Sequence, residues 1–246
     1  MLVLVPADRV YAVLKDHITL PVKLYQIEGT VWNGRAGVAQ INNERLESVR
    51  WDFRPYTLVL GKLEIKLAFK KDGGHLDAVI GRSINGDLYI EDADAQFPAN
   101  IIEPLLSRIP LGLEGELIID LSDLEISSNI ISAAEGSLSW RDAGIGKPNN
   151  VELGSFAMNL ETSEEGVKGI LSSMNDGPLQ LDGLVVLNPD GTYKLTSTFV
   201  IRDPNRADLK QALRFVGNPG PTGKVSMTRS GTLALDKYLS LPNQGK

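Results

Sequence analysis

A chain of 246 residues with 42% hydrophobic content is long enough for one large all-β domain or two small ones with a real core. A net charge of -6, from 31 acidic against 25 basic residues, argues against nucleic-acid binding as the main task. The absence of cysteine excludes disulfides, thiol chemistry and cysteine-ligated metals, and 24 Gly with 13 Pro predict many turns and few long helices.

In chain order, Met1-Leu-Val-Leu-Val5 is an apolar run stopped by Pro6. Five such residues cannot cross a bilayer, which takes roughly 20, and a run this short also reads as a strand. Pro6 to Ile18 predicts a short amphipathic helix, with Val10, Val13, Leu14 and Ile18 on one face. Val22 to Trp32 predicts the first long strand, with Val22, Leu24, Gln26 and Glu28 on one side and Tyr25 and Ile27 on the other. Asn33-Gly34 is a tight-hairpin dipeptide, which sends Ala36 to Ile41 back along it. Leu46 to Phe53 follows. Thr57 to Lys71 is the clearest strand, with Leu63, Ile65, Leu67 and Phe69 inward and Glu64, Lys66 and Lys70 outward. Asp72-Gly73-Gly74 turns it into Leu76, Ala78 and Ile80, and Ile84 to Ile90 predicts a further strand.

Gln96 to Ile109 has helical spacing limited by Pro98 and Pro104. Leu111 to Leu121 alternates as a strand, and Leu124 to Ile131 is a partner for it. Asp142 to Asn150 is the best break, separating sub-halves 1–143 and 151–246. A loop of that length does not make a domain boundary, so 1–246 reads as a single domain. Strands resume at Val151 to Glu161, Val167 to Ser172, Leu179 to Leu187 and Thr192 to Ile201. Asp203-Pro204 opens a helix with Leu209, Ala212, Leu213 and Val216 in one stripe and Gly217 as its stop. Two short strands around Val225 and Leu233 and a frayed tail end the chain. The fold class is therefore mainly β: a curled antiparallel sheet or a sandwich-like domain with a few short helices.

The chain is organised around Glu28-Gly-Thr-Val-Trp-Asn-Gly-Arg-Ala-Gly37, echoed by Glu135-Gly-Ser-Leu-Ser-Trp140 and, more briefly, by Glu114-Gly-Glu-Leu117. Gly29, Trp32, Gly34, Gly136 and Trp140 are the positions it singles out, as structural or interaction residues. Each glycine suits a bulge or close backbone approach, and each tryptophan suits a core anchor. The Gly-to-Trp spacing differs by one between the copies, which predicts a bulge in one of them and burial of both rings.

No constellation reads as chemistry. His17 and His75 are isolated, and Glu91, Asp92 and Asp94 lack the glycine turn and distant glutamate of a calcium loop, so they read as a solvated strand end. There is no Gly-x-Ser-x-Gly elbow, no phosphate loop and no basic face interleaved with aromatics. No catalytic residue, cofactor or metal is expected.

The stretch Ile27-Glu-Gly-Thr-Val-Trp-Asn-Gly-Arg-Ala36 resembles the signature of the type II secretion system protein N family. Pro6-Ala-Asp-Arg9 resembles the segment after that family's membrane anchor. Gly136 to Ala143 resembles its internal Gly-x-x-x-Trp-x-x-Ala stretch. Asn175 to Leu179 and Asp208 to Gly223 resemble its C-terminal half. The resemblance implies the periplasmic domain of a bacterial inner-membrane protein, with Met1–Val5 as the end of an anchor that is removed here. It implies a non-enzymatic assembly component of the type II secretion system, whose partners are other inner-membrane secretion subunits. The alternative is a lipid-binding groove like that of AsmA-like proteins, in which an uncovered apolar sheet face holds an acyl chain. A hydrolase is the weakest reading, because no nucleophile–base pair is visible.

Overall fold

The computed structural model describes residues 5–17, 22–41, 44–103, 112–147, 150–213, 217, 224–233 and 235. These form two compact units, 1–97 and 98–246. Each is a single antiparallel meander in which every strand pairs with its sequence neighbours. The expected antiparallel sheet with few short helices is what forms, and it is open rather than a sandwich.

The first unit holds β1 (Val22–Gly29), β2 (Asn33–Ile41), β3 (Glu44–Phe53), β4 (Lys62–Lys71), β5 (Gly74–Ser83) and β6 (Leu88–Pro98), preceded by α1 (Ala7–His17). The Tyr11 hydroxyl ties α1 to β1 by accepting from the Leu24 amide at 2.9 Å. The expected apolar stripe of α1 is not its buried face: Ala7 is buried, whereas Val13 and Leu14 are exposed. Ile18 lies outside the described residues.

Simple alternation fails in β1 to β3 for a visible reason. Gln26 and Ser48 adopt left-handed φ of 55° and 52°. Between them, with no side chain, lies Gly37, over which the Gln26 amide folds. The line of irregular residues reverses the facing in three neighbouring strands at once. Val22 and Leu24 therefore share the core with Ile27 rather than with Gln26 and Glu28. Ala39 likewise joins Ala36, and Leu46 joins Val49. Bulges of this kind bend a strand and re-aim the side chains beyond them.

The alternation expected in β4 is corrected at its start. Leu63 is 54% exposed and Glu64 only 5%. Glu64 pairs with Gly81 on β5, and Gly81 pairs with Tyr89 on β6. The bare glycine lets the Tyr89 ring lie across it and donate its hydroxyl to Glu64 at 2.8 Å. Arg54 also approaches Glu64, at 3.7 Å, so the buried carboxylate is hydrogen-bonded and has a cation beside it. Burial, then the hydrogen bond to Glu64, hold the Tyr89 hydroxyl protonated far above the ordinary tyrosine range. Residues 55–60, the expected start of this strand, form a 3-10 turn instead. Ile84 lies in the β5–β6 turn, and Gln96 to Pro98 finish β6, followed by a 3-10 turn at Ala99–Ile102. The rest of the helix expected there, 104–109, lies outside the described residues.

The second unit holds β7 (Leu113–Ser127), β8 (Ile130–Ile145), β9 (Val151–Ser163), β10 (Gly166–Ser173), β11 (Leu179–Leu187), β12 (Thr192–Ile201) and β13 (Lys224–Thr232), with the short helix α2 (Ala207–Leu213). Leu111–Leu121 and Leu124–Ile131 are not a pair. Residues 113–127 make one strand, and Ser128-Asn129, both at positive φ, turn it into β8. The stretch 142–150 falls within this unit, since β8 runs to Ile145 and its last residue pairs with Val151. The sub-halves suggested by that stretch do not coincide with the compact units. Asp203 accepts from the Asn205 amide at 2.9 Å, and Arg206 grips Asp208, so helix α2 starts at Ala207, later than Asp203-Pro204 suggests. Its Leu209 and Leu213 are buried with Val151, Leu153, Leu179, Ile201 and Val225.

Candidate functional site

The five motif residues fall in different units, and each set is described within its own. Thr30, Val31 and Trp32 are not strand. They form the β1–β2 turn, closed by the Thr30 amide donating to the Asn33 carbonyl at 2.8 Å and the Asn33 amide to the Thr30 hydroxyl at 3.0 Å. Asn33-Gly34, expected as the turn, is instead the start of β2, with Gly34 facing Gly29. The reason lies on β3. Gly34 is also opposite Trp51, and a Cβ there would sit 2.4 Å from the Trp51 ring. The same ring donates its indole N–H to the Val31 carbonyl at 3.0 Å. Trp51, which the motif does not contain, thus locks the motif's turn. Trp32 is half-buried, its ring 5.4 Å from that of Phe53.

In the second unit Gly136 sits inside β8 at φ +134°, where a Cβ would lie 2.2 Å from the Asp120 carbonyl oxygen of β7. Trp140 is half-buried beside the α2 core and donates its indole N–H to the Glu114 carbonyl at 2.9 Å. Both rings, expected to be largely buried, are half-buried. The predicted bulge is absent from both Gly-to-Trp spans: the first is a turn, and the second pairs in constant register. The irregularities flank it, at Leu121/Asp123 and Trp140/Ala143. What the two regions share is a cross-strand indole donating to a carbonyl near a positive-φ glycine, Gly29 or Gly115.

Around Gly29 and Gly34 lies a shallow concavity of about 590 Å³, lined by Glu28, Arg35, Arg50, Asp52, Lys66 and Asp77 with Trp51 at its side. Its charges are largely self-compensated: Arg35 bonds Glu28, and Lys66 meets Asp77 at 3.0 Å. The acidic cluster of β6 is likewise dispersed within the strand. Glu91 faces Lys62, Asp94 bonds His75 at 2.9 Å, and Asp92 is a positive-φ residue at a bulge. Among the described residues no group of His, Asp or Glu is placed to hold a metal.

Two apolar surfaces emerge that alternation alone does not reveal. The first is a face of the second unit. Its cross-strand rows run Ile119, Leu138, Met158, Leu171, Gly183, Ser197, Met227 and Leu121, Gly136, Leu160, Gly169, Val185, Leu195. One side of these rows is sealed by the α2 cluster with Trp140, Phe156 and Phe199, the other by Ala134, Val167 and Leu187. The large side chains between are only half-buried. A single hydroxyl sits among them: Ser197 Oγ is buried without a hydrogen-bond partner among the described residues. The second surface is in the first unit, where Val59, Leu60 and Ile84 are 90%, 75% and 87% exposed. The sequence signal for it is Pro55 and Gly61 bracketing Tyr56–Leu60. That is punctuation for a turn, and strict alternation begins only at Leu63.

The chain matches the model of the family described as type II secretion system (T2SS), protein N, over residues 21–228. The chain belongs to the type II secretion system protein N family. It is 25% identical over 217 residues to a type II secretion system protein N of Vibrio cholerae serotype O1, covering 86% of this chain and 85% of the relative. It is 25% identical over 225 residues to that of Aeromonas hydrophila, covering 88% of each. A third, from Klebsiella pneumoniae, is 25% identical over 206 residues, or 82% of this chain and 80% of the relative. No solved structure matches the chain. Membership gives the chain a role in type II protein secretion, and every motif position falls inside the matched span. No helix among the described residues is long and apolar enough to cross a membrane.

Proposed function

We propose that the chain works by contact rather than by chemistry, as an assembly component of the type II secretion apparatus. Its β-rich single domain lies in the periplasm, as part of an inner-membrane subunit, and it binds other inner-membrane secretion subunits. The observation that carries this reading is the family match across residues 21–228. Gly29, Trp32, Gly34, Gly136 and Trp140 then act as structural residues that fix the turn and the close strand approach. The test is affinity capture of a membrane-anchored form from secreting cells. Specific recovery of inner-membrane secretion subunits is the expected result, and their absence refutes the reading.

A second reading is favoured by one observation, the half-buried apolar rows of the second unit. A face of this kind, flanked on two sides by packed clusters, has the chemistry of an acyl-chain seat. Native mass spectrometry of protein taken from cells should then show a bound lipid. Lipid-free protein whose face does not take up an added fatty acid removes this reading.

A further inference from the structure

Topology gathers several turns at one end of the first unit. Strands β1, β3 and β5 all run toward it, so the turns after them share that end: Thr30–Trp32, Arg54–Gly61 and Ile84–Asp87. The start of the chain joins the same place, where Val5 accepts from the Val31 amide at 3.1 Å and Pro6 bridges Thr30. Residues Met1–Val5 leading into it are all apolar and uncharged.

The middle turn is held rigidly. The Thr57 side chain is buried, its hydroxyl 2.7 Å from the Arg54 carbonyl and 3.0 Å from the Lys62 carbonyl. Gly61, in the left-handed region, closes the turn by donating to Leu58 O at 3.0 Å. With Thr57 turned inward, Leu58, Val59 and Leu60 are turned out, and Ile84 stands next to them, its Cγ2 3.4 Å from where a Gly61 Cβ would be. Pro55–Gly61 carries no charge, and Tyr56 at its base is exposed. Basic groups flank the tips at Arg54, Lys62 and Arg82, with Arg54 3.7 Å from Glu64 and Lys62 3.9 Å from Glu91. The acid on these turns, Asp87, is half-buried against Ser83.

We propose that this end of the first unit docks on a phospholipid bilayer, with Val59, Leu60 and Ile84 entering the headgroup region. Highly exposed aliphatic side chains at the tips of turns suit a fluid interface, which imposes no shape of its own and does not need complementarity as a protein partner does. A tyrosine behind the tips and cations behind the tyrosine match the usual order of side chains at a membrane surface. Because the turn is already ordered by Thr57, little conformational entropy is lost on insertion. The inference builds on the inner-membrane placement proposed above.

The test is co-sedimentation of the full chain with vesicles of phosphatidylethanolamine and phosphatidylglycerol. Wild-type protein should pellet with the vesicles. The double substitution Val59→Asp, Leu60→Asp should lower partitioning by about tenfold or more. Ile170→Asp, at an exposed apolar position of the second unit, should leave it unchanged. Both substituted residues of the turn are exposed, so the melting temperature should hold and report an intact fold. Absence of pelleting, or equal pelleting of wild type and double variant, overturns the proposal and hands these turns to a protein partner. Cell fractionation tests the placement separately: an anchored form absent from the inner membrane refutes the placement, whatever the vesicles show.

Discussion

Gly136→Ala separates two costs that glycines are usually credited with together. At φ +134° an L-residue is strained by about 1–3 kcal/mol. The new Cβ would also stand 2.2 Å from Asp120 O and 2.7 Å from Leu121 Cα, both backbone atoms of the paired strand, so relief requires parting β7 from β8. Overpacking of this kind adds about 1–3 kcal/mol. The two together come to about 2–6 kcal/mol, or a fall of about 4–24 °C at the 2–4 °C per kcal/mol typical of chains this long. The internal control is Gly73→Ala, in the β4–β5 turn at φ +84° with nothing within 4 Å of the added carbon. That change carries strain alone, about 1–2 kcal/mol. Thermal unfolding followed by far-ultraviolet circular dichroism should therefore show Gly136→Ala falling further than Gly73→Ala, by about two- to threefold at the middle of the two ranges. Equal shifts would refute the close-approach argument and leave backbone conformation as the whole role of Gly136.

The buried and paired charges give two more predictions. Tyr89→Phe leaves the Glu64 carboxylate without its buried donor and should cost about 1–3 kcal/mol in urea unfolding at neutral pH. Because folding raises the Tyr89 pKa, its contribution is complete below about pH 10 and fades as pH rises above that, so the variant should lose stability less steeply in alkali than wild type. The side-chain hydrogen bond from Arg206 lowers Asp208 from 3.8 to about 2. Its stabilising effect is present above about pH 4 and is lost as pH falls toward 2. Asp208→Asn should flatten the acid limb of stability over that window, and an unchanged limb would show that the Arg206 pair is irrelevant to folding.

Much of the architecture is legible in the sequence because hydrophobic alternation and turn residues report on local backbone. Val151–Glu161, Leu179–Leu187 and Thr192–Ile201 lie where their patterns put them, and the family motifs sit on residues that shape turns and strand contacts. The illegible parts depend on partners distant in sequence. Asn33-Gly34 has the composition of a hairpin turn, yet Gly34 is claimed by a ring seventeen residues away, and the turn moves to Val31-Trp32. Glu64 reads as an outward residue until Gly81 and Tyr89 are placed over it. The reversal at Gln26, Gly37 and Ser48 needs all three strands in register before it can be seen. The apolar tips at Val59, Leu60 and Ile84 are hidden because such residues equally suit a strand interior, and only Thr57's inward hydroxyl shows which way the turn faces.

Pairing of each strand only with its predecessor and successor has a consequence for how the chain acquires its structure. Within a unit no strand pairing waits for a distant segment, so loop-closure entropy stays small at each pairing step. Order can propagate strand by strand from whichever end appears first, as in a repeat array. A nascent or translocating chain, delivered N-terminus first, would offer each new strand a formed edge at the moment it emerges. Until β13, Lys224–Thr232, the last strand among the described residues, arrives, the edge of β12 is exposed to mispairing.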